Sequence, residues 1–218
     1  MARLHIFGNN ADVSTSFETL WDEGDAHTYQ SAAAVMKISS SDAGDTQDYF
    51  VWGLGAGGVQ LSETVTAVGQ TETALTNSFL RVFGVKNVGT TVNAGDVYIY
   101  EDDTVTSGVP QTQGKIHAKA LAGANISHSG FATLGLNSTA RLNRLHISSP
   151  TDTIVSVRVL ARPDGGVWEE LLLTHVYRQN ATLEFGDMAA LAALTDIEIQ
   201  AKGAASAVVA AHAEFILS

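Results

Sequence analysis

The chemistry-bearing side chains of this chain are seven histidines, scattered carboxylates, many serines and three tryptophans, with no cysteine. Without cysteine there is no thiol nucleophile, no thiolate metal site and no disulfide. The histidines (His5, His27, His117, His128, His146, His175 and His212) form neither His-Glu-x-x-His nor any close pair with metal-ligand spacing. Serine is abundant, but no Gly-x-Ser-x-Gly elbow nominates a nucleophile. The acidic triplet Glu101–Asp102–Asp103 and the trio Asp42, Asp45 and Asp48 offer oxygen ligands for Ca²⁺. They lack the alternation and central glycine of an EF-hand loop, and neighbours on an extended chain point to opposite sides. Both read as solvated turn tips.

Two further features belong to ligand chemistry. The run GLGAGG, with Gly53, Gly55, Gly57 and Gly58, follows a strand-like segment as a phosphate loop would. Such a loop must open a helix whose free N–H groups meet the phosphate. Here VQLSETVTAVGQT follows, rich in β-branched residues, and no Gly-Lys-Ser/Thr is present, so the run reads as a hairpin turn. Trp21, Trp52 and Trp168 are candidates for stacking on sugar rings. Trp52 lies in DYFVWG and reads as core, whereas Trp168 follows the turn RPDGG and is the residue to nominate for glycan stacking. No catalytic residue, metal ligand or cofactor is nominated.

The elements that would position these residues are short and alternating. Val155, Val157 and Val159 alternate with Ser156 and Arg158, and Ile197 and Ile199 with Glu198 and Gln200. At the end of the chain Val209, Ala211, Ala213, Phe215 and Leu217 alternate with His212 and Glu214. A period of two places one face toward a core and the other toward water. The pattern predicts strands near 34–39, 48–53, 59–68, 78–86, 96–101, 114–119, 131–136, 141–147, 153–161, 167–177, 196–202 and 207–217. Turn clusters such as SSSDAGD, NVGTTVNAGD and RPDGG separate them. DMAALAAL at 187–194 is the single predicted helix.

Many short strands without long alternating helices predict an all-β fold, an antiparallel β-sandwich of the jelly-roll kind. Residues 1–30 read differently: acidic and turn residues separate the isolated large apolars Phe7, Phe17, Leu20 and Trp21. That pattern predicts an extended N-terminal arm, with residues 31–218 forming the β-sandwich domain or two closely packed β modules.

Composition narrows the partners. Charged residues make up only 16% of the 218 residues, and 23 acidic against 12 basic residues give a net charge of −11. That balance disfavours binding driven by phosphate neutralisation, whether to nucleic acid or to anionic membrane. The N-terminus does not read as a signal peptide, and no apolar run is long enough for a membrane-spanning helix.

Several segments carry a resemblance. ETLWDEGDAHTYQSAAAVMKISSSDAGDT at 18–46 resembles an opening common among structural proteins of tailed phages, marine and cyanobacterial ones especially. WGLGAGGVQLSETVTAVGQT at 52–71, SFLRVFGVKNVG at 78–89 and NAGDVYIY at 93–100 follow in the order seen in that family. The family carries an Asp-containing turn where this chain has GAGG. TDIEIQAKGAASAVVAAHAEFIL at 195–217 resembles the closing strands of phage virion β-sandwich proteins, and 110–150 is the least familiar stretch.

The resemblance implies a non-enzymatic virion protein of the head-decoration (cement) type. It would bind the major capsid protein on the outer surface of the phage head, after assembly in the host cytoplasm, as a homotrimer. Phe7, Phe17, Leu20 and Trp21 of the arm would then be the capsid contacts, and removing residues 1–30 would leave the β core intact. The alternative is a tail, fibre or baseplate module binding host glycan through Trp168. A carbohydrate-active hydrolase ranks third.

Overall fold

The computed structural model describes residues 2–186, 188–204 and 206–218, with every side chain among them but that of Gln179. The strands, in chain order, are β1 (Arg3–Val13), β2 (Glu18–Thr19), β3 (Ala34–Ser40), β4 (Asp48–Leu54), β5 (Gln60–Thr66), β6 (Thr73–Phe79), β7 (Arg81–Asn87), β8 (Val97–Tyr100), β9 (Val105–Thr106), β10 (Val109–Pro110), β11 (Ile116–Ala120), β12 (Phe131–Thr133), β13 (Ala140–Arg162), β14 (Glu169–Glu184), β15 (Asp196–Lys202) and β16 (Ala207–Leu217). All strand pairing is antiparallel, and the only helical turns among the described residues are 3₁₀ turns at Ala56–Gly58 and Gln113–Lys115. The all-β antiparallel sandwich expected from the alternation is what the chain forms. No helix among the described residues is long and apolar enough to cross a membrane.

The chain divides into two compact units. One comprises the residues up to Ala26 together with Ser129–Ser218, and the other His27–His128.

In the first unit, β13 organises one sheet of order β1-β16-β13-β15-β12. Its first half pairs with β16 (Ala140↔Leu217 to Ser148↔Ala210) and its second half with β15 (Ser156↔Lys202 to Arg162↔Asp196). Its other edge is occupied along both halves by β14. Inward side chains from the two halves, Leu145, Ile147 and Phe215 with Val157, Ile197 and Ile199, share one core cluster.

The sequence pattern predicts two strands where β13 is one. The interruption is real at the level of pairing: Ser149 opposes Gln179, but the next pair is Ile154–Tyr177. Pro150, which has no N–H to donate, sits in that irregularity, where a strand tolerates proline.

The N-terminal arm is corrected by this unit. β1 pairs with β16 from Arg3↔Ile216 to Val13↔Ala207, so the segment is an edge strand of the sheet. Its inward positions include Ile6, Gly8, Asn10 and Val13, whereas Phe7 faces out. Glycine and asparagine on the core side hide the alternation, and an outward phenylalanine reverses it. Gly8 and Gly130 are glycines because an added Cβ on either would lie 2.3 Å from the Leu20 carbonyl oxygen. Residues 1–30 are therefore not one element, and the boundary between units falls at Ala26–His27.

The helix expected at 187–194 is also corrected, Asp187 lying outside the described residues. Leu191 instead makes a bridge with Ala140, its N–H donating 2.7 Å to that carbonyl, and Leu194 has a positive φ of 60°. A two-turn helix has little stability of its own, so paired backbone groups override its Ala/Leu composition.

The core of the second unit is a sandwich of two sheets, apart from the two-stranded β9–β10 ribbon. β11-β8-β3-β6 forms one sheet and β5-β4-β7 the other. Met36, Ile38, Phe79 and Ile99 from the first pack with Tyr49, Val51, Val65 and Val85 from the second in one core. The chain crosses between sheets at β3–β4, β5–β6, β6–β7 and β7–β8, which is compatible with the jelly-roll expectation. The predicted strand at 78–86 is thus two elements, β6 and β7, which separate at Leu80.

Asp45, read from sequence as a solvated turn tip, is buried instead. Its carboxylate accepts hydrogen bonds from Ala94 N (2.8 Å), Gly95 N (2.9 Å) and Ser40 Oγ (2.6 Å), tying the 40–45 turn to the loop before β8. Hydrogen bonds to a buried charged group contribute roughly 1.5–3 kcal/mol each. Asp45→Ala is expected to destabilise the second unit by on the order of 3 kcal/mol, read as a lowered urea midpoint with unchanged slope. Removal of residues 1–30 is expected to lose the cooperative unfolding of the first unit, because it deletes β1 and β2.

Candidate functional site

The most elaborate side-chain arrangement in the first unit lies on the face of β15 opposite its Ile197–Ile199–Ala201 row. Glu198 and Gln200, expected to face water, are nearly buried together with Asp196, and Glu198 is only 2% exposed. β2 lies beside them through Gln200↔Thr19 and Ala201↔Glu18. Glu198 accepts from Thr19 Oγ1 (2.5 Å) and Gln200 Nε2 (2.7 Å). Gln200 Oε1 accepts from Arg158 Nε (2.9 Å) and Nη2 (2.6 Å). Asp196 accepts from Thr133 Oγ1 (2.5 Å) and from Arg162 Nη2 (2.6 Å).

Two of the nominated aromatics cap this ladder. The Arg158 guanidinium lies 4.0 Å from the Phe17 ring centroid and Lys202 Nζ 4.6 Å from it, while Arg162 lies 4.7 Å over the Trp168 ring. Cations over aromatic faces are stabilised by the ring quadrupole, more so when desolvated. Phe17 and Trp168 are therefore partners of basic side chains in their own unit, and one face of Trp168 is occupied by a guanidinium.

Leu20 and Trp21, expected as capsid contacts, are core residues of this unit. Leu20 is fully buried, its N–H donating 2.9 Å to Ile199 O and its carbonyl accepting from Gly130 N at 2.7 Å. Trp21 is 1% exposed, donates from Nε1 to Gly24 O (2.6 Å), and meets Phe131 edge-on. Of the four nominated residues only Phe7, 47% exposed, remains broadly open to solvent. Trp52, read as core, is instead half-buried on the outward face of β4.

The structure also assembles groups that the spacing did not reveal. On the outer face of the first unit's sheet, His5 of β1, His212 of β16 and His146 of β13 fall on adjacent strands, with His146 and His212 in register. His5 Nδ1 and His212 Nε2 are 2.9 Å apart, while the ring centroids are 5.1 Å apart with planes 20° from parallel. The centroid distance is the nitrogen separation plus about one ring radius at each end. The rings therefore meet edge to edge, sharing one proton in an N–H···N bond.

Burial foremost, and then His5, hold the His212 imidazole below its ordinary range. In the second unit, burial pushes His117 down despite its 2.9 Å bond to Glu101 Oε1. None of these pairings was legible from sequence, since each spans separate strands.

The other candidate chemistry is structural. Asp102 pairs with Lys37 (2.6 Å), Asp103 accepts from Thr112 N (2.7 Å), and Glu101 meets His117. No group of three or more His, Cys, Asp or Glu side chains able to hold a metal occurs among the described residues. Ser156 Oγ lies 2.9 Å from His175 Nδ1, a serine–histidine contact across β13 and β14. It sits mid-sheet, where β14 and β15 flank Ser156 on both sides.

An open feature lies on β14. It pairs with β13 alone among the described residues, leaving its other edge with unpaired backbone groups. Along its outer face lie Leu173 (43% exposed) and Tyr177 (50%), with Ile154 (64%) opposite Tyr177 in register.

No protein-family model matches the chain, and no curated protein does. Among solved structures, 99% of the chain is similar to 72% of a chain in a structure of infectious bursal disease virus, Gt strain, at 9% identity and a TM-score of 0.24.

The histidine geometry generates a pH dependence with a definite sign. His212 and His117 resist protonation in the fold, so the unfolded chain binds more protons and stability rises with pH. The contribution is complete above the ordinary imidazole value of about 6.5 and is lost as pH falls toward the lowered folded values. The thermal midpoint is expected to drop between pH 7.5 and 5, and His212→Phe is expected to flatten part of that drop. An NMR titration placing His212 at or above the ordinary value would contradict the assignment.

Proposed function

We propose that this chain is a virion structural protein, a head-decoration (cement) protein that binds the major capsid protein of a tailed phage from outside the shell. The resemblance of residues 18–46, 52–71, 78–89, 93–100 and 195–217 to phage structural proteins motivates the class. The observation that carries the binding role is the open edge of β14 with its apolar flank of Ile154, Leu173 and Tyr177. An unpaired edge strand can add to a partner's sheet, its main chain supplying hydrogen bonds and its alternate side chains supplying fit.

This contact replaces the N-terminal arm as the proposed capsid-binding element, because Leu20 and Trp21 are occupied in their own core. A net charge of −11 suits an outer surface held away from packaged nucleic acid. A shell presents many equivalent sites, so modest single contacts hold when copies engage together. A trimer around a local three-fold position and the absence of catalysis are parts of the same proposal.

Mixing the purified chain with undecorated, expanded heads is expected to give ordered density outside the shell by cryo-electron microscopy. Ile154→Ser combined with Tyr177→Ser removes apolar area worth roughly 1.5–3 kcal/mol per side chain when fully buried. It is expected to lower head affinity more than tenfold while leaving the circular dichroism unchanged. Undecorated shells, or undiminished binding by the folded double variant, would refute the proposal. Labelling confined to tails would refute the head assignment.

A further inference from the structure

The outward face of β5-β4-β7 in the second unit departs from what an antiparallel sheet does with its wet side. Tyr49, Val51, Val65, Val82 and Val85 fill the core from these strands. The alternate positions on the central strand should then be polar. They are Phe50 and Trp52.

The two rings lie 6.0 Å apart with planes only 19° from parallel. Together with Phe83 they line an open depression of about 520 Å³. Ser62 faces Trp52 across the β4–β5 ladder, and Thr64 faces Phe50. Gln60 and Ser62 complete the polar side of the depression.

The aromatic pair is built into the fold. Trp52 pairs with Gly84 on β7, and a Cβ at Gly84 would lie 2.4 Å from the indole ring. Only glycine leaves room for the indole to lie across that strand. The half-buried rings are thereby held in place before any ligand arrives, which lowers the ordering cost of binding.

We propose that this depression is a binding site for a neutral glycan, seated on Trp52 and Phe50 with its hydroxyls paired to Gln60 and Ser62. A volume of about 520 Å³ falls within the range of small-ligand sites. The stacked Phe50 and Trp52 rings that line the depression offer apolar contact to the C–H face of a pyranose, while an amide and a hydroxyl at the rim match its hydroxyl groups. The seven lining residues, Phe83 and Leu61 among them, include no charged side chain, and the chain is strongly acidic, so the match is to an uncharged sugar. The site is separate from the β14 edge, and its test does not depend on where in a virion the chain sits.

The full chain is tested on an array of neutral glycans and by titration with cellohexaose, maltohexaose and mannohexaose, read by tryptophan fluorescence and calorimetry. Saturable binding of at least one neutral glycan is expected. Trp52→Ala is expected to weaken it at least tenfold, and Trp168→Ala to leave it unchanged.

Gln60→Ala with Ser62→Ala alters only the rim and is expected to weaken binding at least threefold. That double variant decides the matter if Trp52→Ala fails to fold. No saturable binding to any neutral glycan by the folded chain overturns the proposal. So does binding lost in Trp168→Ala but retained in a folded Trp52→Ala.

Discussion

The first unit depends on a backbone constraint in β13. A strand of 23 residues carries donors and acceptors along two edges, and inside a fold nearly all of them must be paired. One edge is satisfied by β14 along both halves, and the other is divided between β16 and β15. That division brings the terminal strand and the β15 strand onto one spine, so their inward side chains share a core. β1 then joins at β16, and β2 and β12 join at β15. The irregularity around Pro150 lets a single strand serve two sets of neighbours without breaking.

The sheet faces turned away from the cores are treated in opposite ways. On β15 that face is covered, so Asp196 and Glu198 are held by Arg162, Thr133, Thr19 and Gln200 rather than by water. A half-satisfied ladder of this kind would cost more than an apolar one, which explains why its hydrogen bonds are so complete. On β4 the corresponding face remains open, yet it carries Phe50 and Trp52. Buried carboxylates and open aromatics are each the reverse of the binary pattern. The first is explained by internal hydrogen bonding, and the second by binding.

Several prominent polar groups are engaged within the fold. The serine–histidine contact lies in the middle of a paired sheet, and the acids at the end of β8 are engaged by lysine, histidine and backbone groups. At the surface, β14 leaves one edge unpaired among the described residues, and β4 lines an aromatic depression. They are the surfaces on which the proposed binding roles rest, and they belong to separate units.

The sequence by itself determined that the chain is a set of antiparallel strands punctuated by Gly, Asn and Asp turns. β3, β4, β15 and β16 are legible almost to the residue, because alternation is a local property of the chain. β1 was hidden by Gly8 and Asn10 on its inward face, and the Leu191 segment by a composition that favours helix. Only the tertiary structure decided which second faces are covered and which edges are left open. Alternation distinguishes two faces but says nothing of what will lie on the second. That depends on contacts such as Thr19 with Glu198, 179 residues apart. For the same reason Trp21 became core, Trp168 a seat for Arg162, and Trp52, read as core, the aromatic that faces out.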